Sequence, residues 1–176
     1  MVESTKDKHI KDKKIPIRIQ LIMVSDSLST ANAQDRIKLD QSSKVAKEII
    51  NGYGFQVFGI NYIPDEFQLV QNSISEYINQ KIELIITIGG TGIAKRDVTI
   101  DAITPLLHKR LPGFGELFRS LTYEDVGTVS IMSRAIAGVC DETVIVCLPG
   151  SPNAVKLGVG IILKEIVHII NLLKKP

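Results

Sequence analysis

Apolar and polar residues alternate in blocks along the first ninety positions of the chain. Apolar runs at IRIQLIMVSD (17–26), FQVFGINYIPD (55–65) and IELIITIGG (82–90) are short and rich in β-branched residues, which is typical of buried strands. Between them, apolar residues recur at helical spacing and predict helices that end near Asn51 and run from Phe67 to Ile78. Strands that alternate with helices predict a parallel sheet covered by helices on both faces, so the fold class is α/β.

The inward face of each predicted helix is defined by four apolar side chains. They are Val45, Ala46, Ile49 and Ile50 in the first helix, and Leu69, Val70, Ile74 and Ile78 in the second.

The second half of the chain contains a fourth buried strand, predicted over Thr143–Leu148. Ser151 and Pro152 then form a helix start, with serine as the N-cap and proline at the first helical position. This last helix is predicted to reach about Leu173. Its apolar residues cover most of its circumference, which favours burial in an oligomer interface.

Two segments have less regular patterns. Residues 25–43 are polar and lack periodicity, which is typical of a functional loop. Near Pro105 the pattern allows two helix starts. Either Thr99 caps a helix that the proline destabilises by ~3 kcal/mol, or the helix begins at Thr104 and Pro105.

Charge and composition limit the function classes. Residues 1–15 hold the whole net charge of +2, so the remaining 161 residues are neutral overall, which disfavours nucleic acid as a partner. We expect a basic, disordered tail over residues 1–15 and a single domain over residues 16–176. No apolar stretch reaches the ~20 residues of a membrane span and the N-terminus lacks a signal-peptide core, so we expect a cytoplasmic protein. Cys140 and Cys147 lack zinc-ligand spacing and are predicted to be buried free thiols.

The segment IITIGGTGIAKRDVT (85–99) is the first candidate for chemistry. Three glycines follow the third strand, at the end where open parallel sheets bind ligands. Glycine permits positive φ and close approach of the backbone, so successive N–H groups can face an anion. The motif is shorter than a phosphate-binding P-loop, and a tight turn without a ligand explains it equally well.

Asp97 follows this glycine turn, and Asp65 follows the second strand. If the second and third strands are neighbours, the two carboxylates lie close together, since adjacent strands are about 5 Å apart. Two carboxylates beside phosphate oxygens suit Mg²⁺. The alternatives are that Asp97 caps the following helix and that Asp65 is a turn residue after Pro64. Together with the glycine turn, the pair favours metal-assisted phosphate chemistry.

Several motifs in register point to one family. TIGGTGIAKRDVT, LPGFGELFR, SIMSRAIAGV and CLPGSPNAV, with MVSDSLST and IPDE before them, resemble the MoaB/MogA proteins of molybdenum cofactor biosynthesis. The resemblance covers about residues 16–173. It implies a three-layer αβα domain with a mainly parallel sheet, assembled as a homotrimer or homohexamer.

Active members of that family transfer AMP from Mg-ATP to the terminal phosphate of molybdopterin and release pyrophosphate. The step prepares the cofactor for metal insertion by a downstream protein. The resemblance implies that Asp65 and Asp97 are catalytic and hold Mg²⁺. The reaction also needs cations to offset phosphate charge, and Arg96 and Arg134 are the candidates; the alternatives are that Arg96 is a solvated side chain and that Arg134 is a structural ion-pair partner. The resemblance also implies a pocket for molybdopterin and ATP that contains Ser25, Asp26, Asp40, Ser42, Gly89, Gly90, Thr91, Gly92, Ser120, Ser133, Pro149, Gly150, Ser151 and Asn153.

Ser43 departs from the family pattern. Family members commonly have Asp-x-Ser-Gly where this chain has Asp40-Gln41-Ser42-Ser43. If that glycine needs a positive φ, Ser43 should strain or remodel the turn. The leading hypothesis is therefore a molybdopterin adenylyltransferase, and the alternative is a carrier that binds molybdopterin without chemistry.

Overall fold

The computed structural model describes residues 16–175, so the predicted basic tail lies outside the described residues. A single sheet contains six strands in the order β2-β1-β3-β6-β5-β4. The strands are β1 (Arg18–Val24), β2 (Gln56–Ile63), β3 (Leu84–Ile88), β4 (Lys109–Arg110), β5 (Ile136–Cys140) and β6 (Thr143–Leu148). The pairs β2–β1, β1–β3 and β3–β6 are parallel, whereas β5 and β4 are antiparallel to their neighbours. The sheet is mainly parallel, as predicted.

Seven α-helices connect these strands in the described part of the chain. They are α1 (Asp26–Thr30), α2 (Ala33–Leu39), α3 (Gln41–Gly52), α4 (Phe67–Asn79), α5 (Thr99–Ile103), α6 (Pro112–Val126) and α7 (Pro152–Leu173). Short 3₁₀ segments follow α5 at Thr104–Leu106 and α6 at Gly127–Met132.

The central strands are buried on both faces, and their side chains divide between two cores. In β3, Leu84, Ile86 and Ile88 point to one core, and Ile85 points to the other. The first core contains residues of α3, α6 and α7, and the second contains residues of α4 and α5. The predicted α/β fold, with a helical layer on each side of the sheet, is confirmed.

The polar segment 25–43 is helical over most of its length, contrary to the loop predicted. Ser25 caps α1 by accepting a hydrogen bond from the Leu28 N–H, and Asn32 caps α2 through the Asp35 N–H. Neither helix has a buried residue among those described, which explains why hydrophobic periodicity is absent. Local caps, rather than a buried face, start these helices.

Two predictions near α4 and α5 need correction. The sequence places Leu69 on the inward face of α4, but this side chain is 40% exposed, while Val70 and Ile74 are fully buried. Around Pro105 both helix starts are partly right. A five-residue α-helix begins at Thr99, and Pro105 lies in the 3₁₀ segment that follows it, where the tighter turn accommodates the ring.

Helix α7 begins as predicted. The Ser151 hydroxyl accepts a hydrogen bond from the Ala154 N–H, and Pro152 occupies the first turn. The helix packs one side on the first core and exposes Lys156, Lys164 and Glu165 on the other. Its burial in an oligomer interface stays a prediction. Within residues 16–175, no helix combines the length and hydropathy needed to cross a bilayer.

Candidate active site

A cavity of about 650 Å³ lies at the carboxyl ends of the parallel strands, a volume that suits a small molecule. Ser25 after β1, the glycine turn after β3 and the Pro149–Ser151 turn after β6 form one side of it. Helix α6 and the 3₁₀ segment after it form the opposite side. The site therefore lies where open parallel sheets present the ends of their strands.

The glycine turn, residues 89–92, offers backbone donors to this cavity. The Gly89 N–H donates to the Leu148 carbonyl at 3.0 Å, so it is already used. Thr99 holds the turn from behind, because its hydroxyl donates to the Gly89 carbonyl and its N–H donates to the Gly90 carbonyl. Within residues 16–175, the N–H groups of Gly90, Thr91 and Gly92 have no hydrogen-bond acceptor. Three adjacent donors without an acceptor in a cavity wall are suited to an anion.

The two candidate carboxylates press against this turn. A Cβ atom on Gly90 would lie 2.6 Å from Asp65 Oδ1 and still closer to the Thr99 hydroxyl oxygen. A Cβ atom on Gly92 would lie 2.7 Å from Asp97 Oδ2. Gly90 also has a φ of 59°, in the left-handed region that side chains disfavour. Glycine is thus required here by both backbone conformation and the proximity of the aspartates.

The route by which the carboxylates converge differs from the one predicted. Strands β2 and β3 are not neighbours, because β1 lies between them. Asp26, the first residue of α1 and two residues beyond β1, bridges the gap. Its N–H donates to Asp65 Oδ2 at 3.1 Å, and the Asp65 N–H donates back to Asp26 Oδ1 at 3.2 Å. Arg96, three residues beyond Ile93 in the segment after the glycine turn, forms an ion pair with Asp26.

The charge at this point of the cavity is suited to a divalent cation. Burial raises the pKa of the Asp65 carboxyl; the Asp26 N–H opposes this, and the charges of Asp26 and Asp97 raise the pKa further. No described residue donates a hydrogen bond to Asp65 Oδ1 or to Asp97 Oδ1. Neighbouring carboxylates with one unused oxygen each fit Mg²⁺, which takes one or two carboxylates together with phosphate oxygens.

Asp97 also closes its own turn. Its Oδ2 accepts the Ala94 N–H at 2.8 Å, and its N–H donates to the Ala94 carbonyl at 2.9 Å. The residue that precedes α5 is Val98, which makes no side-chain cap. Asp97 is therefore not the helix cap that the sequence offers as an alternative, and one of its oxygens remains available to the cavity.

Asp40 and Ser42 line the cavity but are held by internal hydrogen bonds. Asp40 is 3% exposed and accepts the Ser43 N–H and the Tyr62 hydroxyl, each at 2.8 Å. The Ser42 hydroxyl donates to the Gly150 carbonyl at 2.6 Å. These bonds join the start of α3 to β2 and to the turn after β6. Burial, followed by the bond to Asp40, raises the pKa of the Tyr62 phenol.

Ser43 causes no strain. It lies in the first turn of α3, and the non-glycine residues with positive φ in the described chain are Lys81 and Asp141. The predicted remodelling of this turn does not occur, because this position is helical and tolerates any small side chain. Ser43 also hydrogen-bonds to Tyr62, which lowers the pKa of that phenol and partly offsets the effects of burial and Asp40.

The turn after β6 adds a second polar element. Pro149, Gly150 and Ser151 all line the cavity, and a Cβ atom on Gly150 would touch Gly89 at 3.7 Å, so the two turns pack together. Helix α7 starts here, and the positive end of a 22-residue helix favours an anion nearby. Asn153 is exposed on the first turn of α7, outside the cavity lining.

Other predicted pocket residues divide between the cavity and its surroundings. Ser133 lines the cavity. Arg134 lies behind the glycine turn, where its guanidinium donates to the Gly92 carbonyl at 3.2 Å and to Asp101 at 2.6 Å. Asp26 and Arg96 pair with each other beside the cavity rather than in its wall. Ser120 is exposed on α6, about half a helical turn away from the cavity-facing residues Phe118 and Thr122.

An apolar wall opposite the glycine turn is a feature that the sequence analysis misses. Phe118, Thr122 and Val126 recur every four residues and place one stripe of α6 in the cavity, and Val129 and Met132 continue it. The i, i+4, i+8 spacing is visible in the sequence. Gly113 and Gly115 obscure it, because they lie in the first turn after Pro112 and make the segment resemble a loop.

Comparison with protein families identifies relatives of the whole domain. Residues 20–168 match the family described as probable molybdopterin binding domain. The chain is 39% identical to molybdenum cofactor biosynthesis protein B of Staphylococcus carnosus strain TM300, over 97% of this chain and 99% of that protein.

Two solved structures share the fold. A crystal structure of molybdenum cofactor biosynthesis protein B is 34% identical, with a TM-score of 0.82 over 92% of this chain and 98% of that one. The tungsten cofactor synthesizing protein MoaB from Pyrococcus furiosus is 33% identical, with a TM-score of 0.78 over 93% of this chain and 100% of that one.

Proposed function

Because this chain belongs to the family of molybdopterin-binding domains, we propose that it acts in molybdenum cofactor biosynthesis as a molybdopterin adenylyltransferase. It transfers AMP from Mg-ATP to the terminal phosphate of molybdopterin and releases pyrophosphate. The observation that carries the proposal is the set of unpaired N–H groups at Gly90, Thr91 and Gly92, beside two carboxylates in one cavity. A carrier of a single phosphate needs the anion site but has no need of the acidic pair.

The reaction brings several anionic groups together. An oxygen of the molybdopterin phosphate attacks the α-phosphorus of ATP and forms a new P–O bond. The bond from that phosphorus to the bridging oxygen breaks, and pyrophosphate leaves with its electron pair. Phosphoryl-type transfer depends mainly on positioning and on stabilising charge, so the step requires no covalent nucleophile on the protein.

Each element of the site has a role in this scheme. The backbone N–H groups of residues 90–92 hold phosphate oxygens, and the start of α7 adds positive potential. Asp65 and Asp97 would hold Mg²⁺, which supplies a positive charge to the phosphate oxygens when bound. Asp26 positions Asp65, and the apolar stripe of α6 covers the site and excludes water. Arg96 pairs with Asp26 and places its guanidinium charge beside the acidic pair.

The test is pyrophosphate release by purified protein supplied with molybdopterin and Mg-ATP. Asp65→Asn and Asp97→Asn should each lower kcat at least about 10²-fold, because each weakens the binding of the Mg²⁺ whose positive charge stabilises the phosphates. The amide introduced by Asp97→Asn retains an oxygen that accepts the Ala94 N–H, so its turn is kept. Glu76→Gln makes the same carboxyl-to-amide change on the exposed face of α4 and should leave the rate unchanged.

Two outcomes would contradict parts of the proposal. If the wild-type chain binds molybdopterin but never releases pyrophosphate, the protein is a carrier. If the rate does not depend on Mg²⁺ concentration, Asp65 and Asp97 do not hold the metal. The homotrimer or homohexamer and the transfer of product to a metal-insertion protein stay predictions that rest on the resemblance, and the cytoplasmic location stays a prediction from the hydropathy of the sequence.

A further inference from the structure

Three side chains with metal-binding atoms meet at the sheet edge opposite the cavity. His108, Cys140 and Asp141 offer nitrogen, sulfur and oxygen atoms that all lie within 4.8 Å of one another. The glycine turn follows the carboxyl end of β3, whereas Cys140 and Asp141 lie just before the amino end of β6, which is parallel to β3, and His108 lies beside them just before β4. The proposed adenylyl transfer uses none of them.

Strand register brings the histidine and the cysteine together, although 32 residues separate them. In the antiparallel pair β4–β5, Lys109 lies opposite Val139, and the His108 N–H donates to the Val139 carbonyl at 2.9 Å. The same register continued by one residue places His108 opposite Cys140. Directly opposed residues of antiparallel strands have Cβ atoms about 5 Å apart, so their side chains touch.

The distances suit a small, tetrahedrally coordinated ion. His108 Nε2 lies 3.8 Å from Cys140 Sγ. Two ligands of tetrahedral zinc, with Zn–S near 2.3 Å and Zn–N near 2.05 Å, lie about 3.6 Å apart. Asp141 borders the other nitrogen of the same imidazole: its Oδ1 is 3.4 Å from His108 Nδ1, and its N–H donates to Nδ1 at 3.2 Å. When Nε2 binds the ion, the ring proton moves to Nδ1, where it replaces the hydrogen bond from the Asp141 N–H and faces the carboxylate, and the Cys140 thiol releases its proton.

We propose that His108, Cys140 and Asp141 bind a thiophilic divalent cation such as Zn²⁺. Thiolate and imidazole select zinc-like ions over Mg²⁺, which prefers oxygen ligands throughout. Cys140 is 8% exposed, while the other two side chains are open to solvent, so the ion has access from one side and keeps a position for water. Bound metal would fasten the edge strand β4 to the hairpin formed by β5 and β6.

The test is a titration with Co²⁺, because a cobalt–thiolate bond gives a charge-transfer absorption that nitrogen and oxygen ligands do not. The chain has two cysteines, so the band reports Cys140 or Cys147. We expect one Co²⁺ per wild-type chain, displaced by Zn²⁺ and retained in excess Mg²⁺. Cys140→Ser should abolish the band. Cys147→Ala removes a thiol that is fully buried in the centre of the sheet and should keep it.

The other two ligands are tested by affinity. His108→Ala and Asp141→Asn should each weaken Co²⁺ binding more than about tenfold, since even indirect partners of metal ligands are worth 10- to 100-fold. Asparagine tolerates the left-handed φ of 51° at position 141, so this change tests the carboxylate and not the turn. His168→Ala, on the exposed face of α7, is the matched histidine control and should bind as the wild type does.

A wild-type chain without the thiolate band, or a band that survives Cys140→Ser, would overturn the proposal. If Cys140→Ser does not fold, the wild-type chain provides a second test. Zn²⁺ should slow the alkylation of Cys140, which mass spectrometry measures. An equal alkylation rate with and without Zn²⁺ would overturn the proposal. Pyrophosphate release is measured separately, so failure of this site and failure of the proposed function are distinguishable.

Discussion

At the scale of single residues, Gly90 is the position on which the candidate site most depends. Its backbone has a left-handed φ, its carbonyl accepts from Thr99, and Asp65 lies where a Cβ atom would be. Any side chain here must move either Thr99, which is fully buried, or the carboxylate. The geometry of the free N–H groups and that of Asp65 are therefore coupled through one glycine.

Gly90→Ala should lower the free energy of unfolding by about 2–4 kcal/mol. An L-residue in the left-handed region costs roughly 1–2 kcal/mol, and the overlap adds a similar amount. Gly160→Ala is the matched control. Gly160 lies in α7 with no atom within 4 Å of an added Cβ, so alanine should stabilise the helix by about 0.5–1 kcal/mol. Urea denaturation followed by circular dichroism measures both, and equal stability of Gly90→Ala and wild type would show that the turn is not constrained.

The sequence predicts the residues of the site better than their contacts. Gly89–Gly92, Asp65 and Asp97 are predictable because each follows a strand, and strand ends meet at one edge of a parallel sheet. The bonds Asp26–Asp65 and Asp40–Tyr62 join residues 39 and 22 positions apart. Such pairs follow from strand order and helix rotation, which local patterns do not encode. For the same reason, the spacing of Cys140 and Cys147 in the sequence does not indicate that His108 lies beside Cys140.

At the scale of elements, an ion-pair cluster joins the amino-terminal edge of the sheet to the end of the last helix. Arg18 in β1 donates its backbone N–H and its Nε to Glu83 Oε2, each at 3.0 Å. Lys174, directly after α7, has its Nζ 3.8 Å from Glu83 Oε1. Burial acts to raise the pKa of Glu83, but the hydrogen bonds and charge of Arg18 outweigh it, so the pKa lies below its ordinary value.

This cluster predicts acid-sensitive stability. A carboxyl with a lowered pKa in the folded state contributes stability above its unfolded pKa of about 4.3, and loses it as pH falls through the folded value. At pH 7, Glu83→Gln should therefore lower the free energy of unfolding by roughly 1–3 kcal/mol. The difference from wild type should narrow below about pH 4. Denaturant curves at both pH values test this, with Glu76→Gln, the same carboxyl-to-amide change at an exposed residue of α4, as the matched control.

Elements with a clear apolar pattern in the sequence could be predicted, and those without one could not. The four parallel strands, α3, α4 and α7 show such a pattern. Burial alone does not decide the outcome, since four of the five residues of β5 are buried. Strand β4 has two residues, both exposed, and β5 reads IAGVC, which lacks a clear alternation of apolar and polar residues. The antiparallel arrangement of β5 and β6 depends on the tight turn at Asp141, where a non-glycine residue has positive φ. A sequence pattern does not identify such a turn.

At the scale of the whole molecule, the strand order explains why the residues that line one cavity come from segments far apart in the sequence. Strand β1 lies between β2 and β3, so the segments after all three strands meet, and β6 brings the start of α7 to the same edge. The first core packs α6 against β5 and α7, and α6 closes the cavity from above. A ligand in the cavity therefore contacts segments from residue 23 to residue 154, and its binding energy stabilises the entire fold.

Ligand binding should accordingly raise the melting temperature of the molecule as a unit. Molybdopterin at a hundred times its Kd adds about 2.7 kcal/mol to the free energy of unfolding. For a domain of this size, that corresponds to an increase in Tm of roughly 5–10 °C.

Calorimetry of wild type and Gly160→Ala should show the same single, shifted transition. Gly90→Ala should show a smaller shift, since a side chain at position 90 displaces the N–H groups that we propose bind the phosphate. An equal shift in Gly90→Ala would place the bound phosphate away from the glycine turn, and a second unshifted transition would show that part of the chain unfolds independently of the cavity.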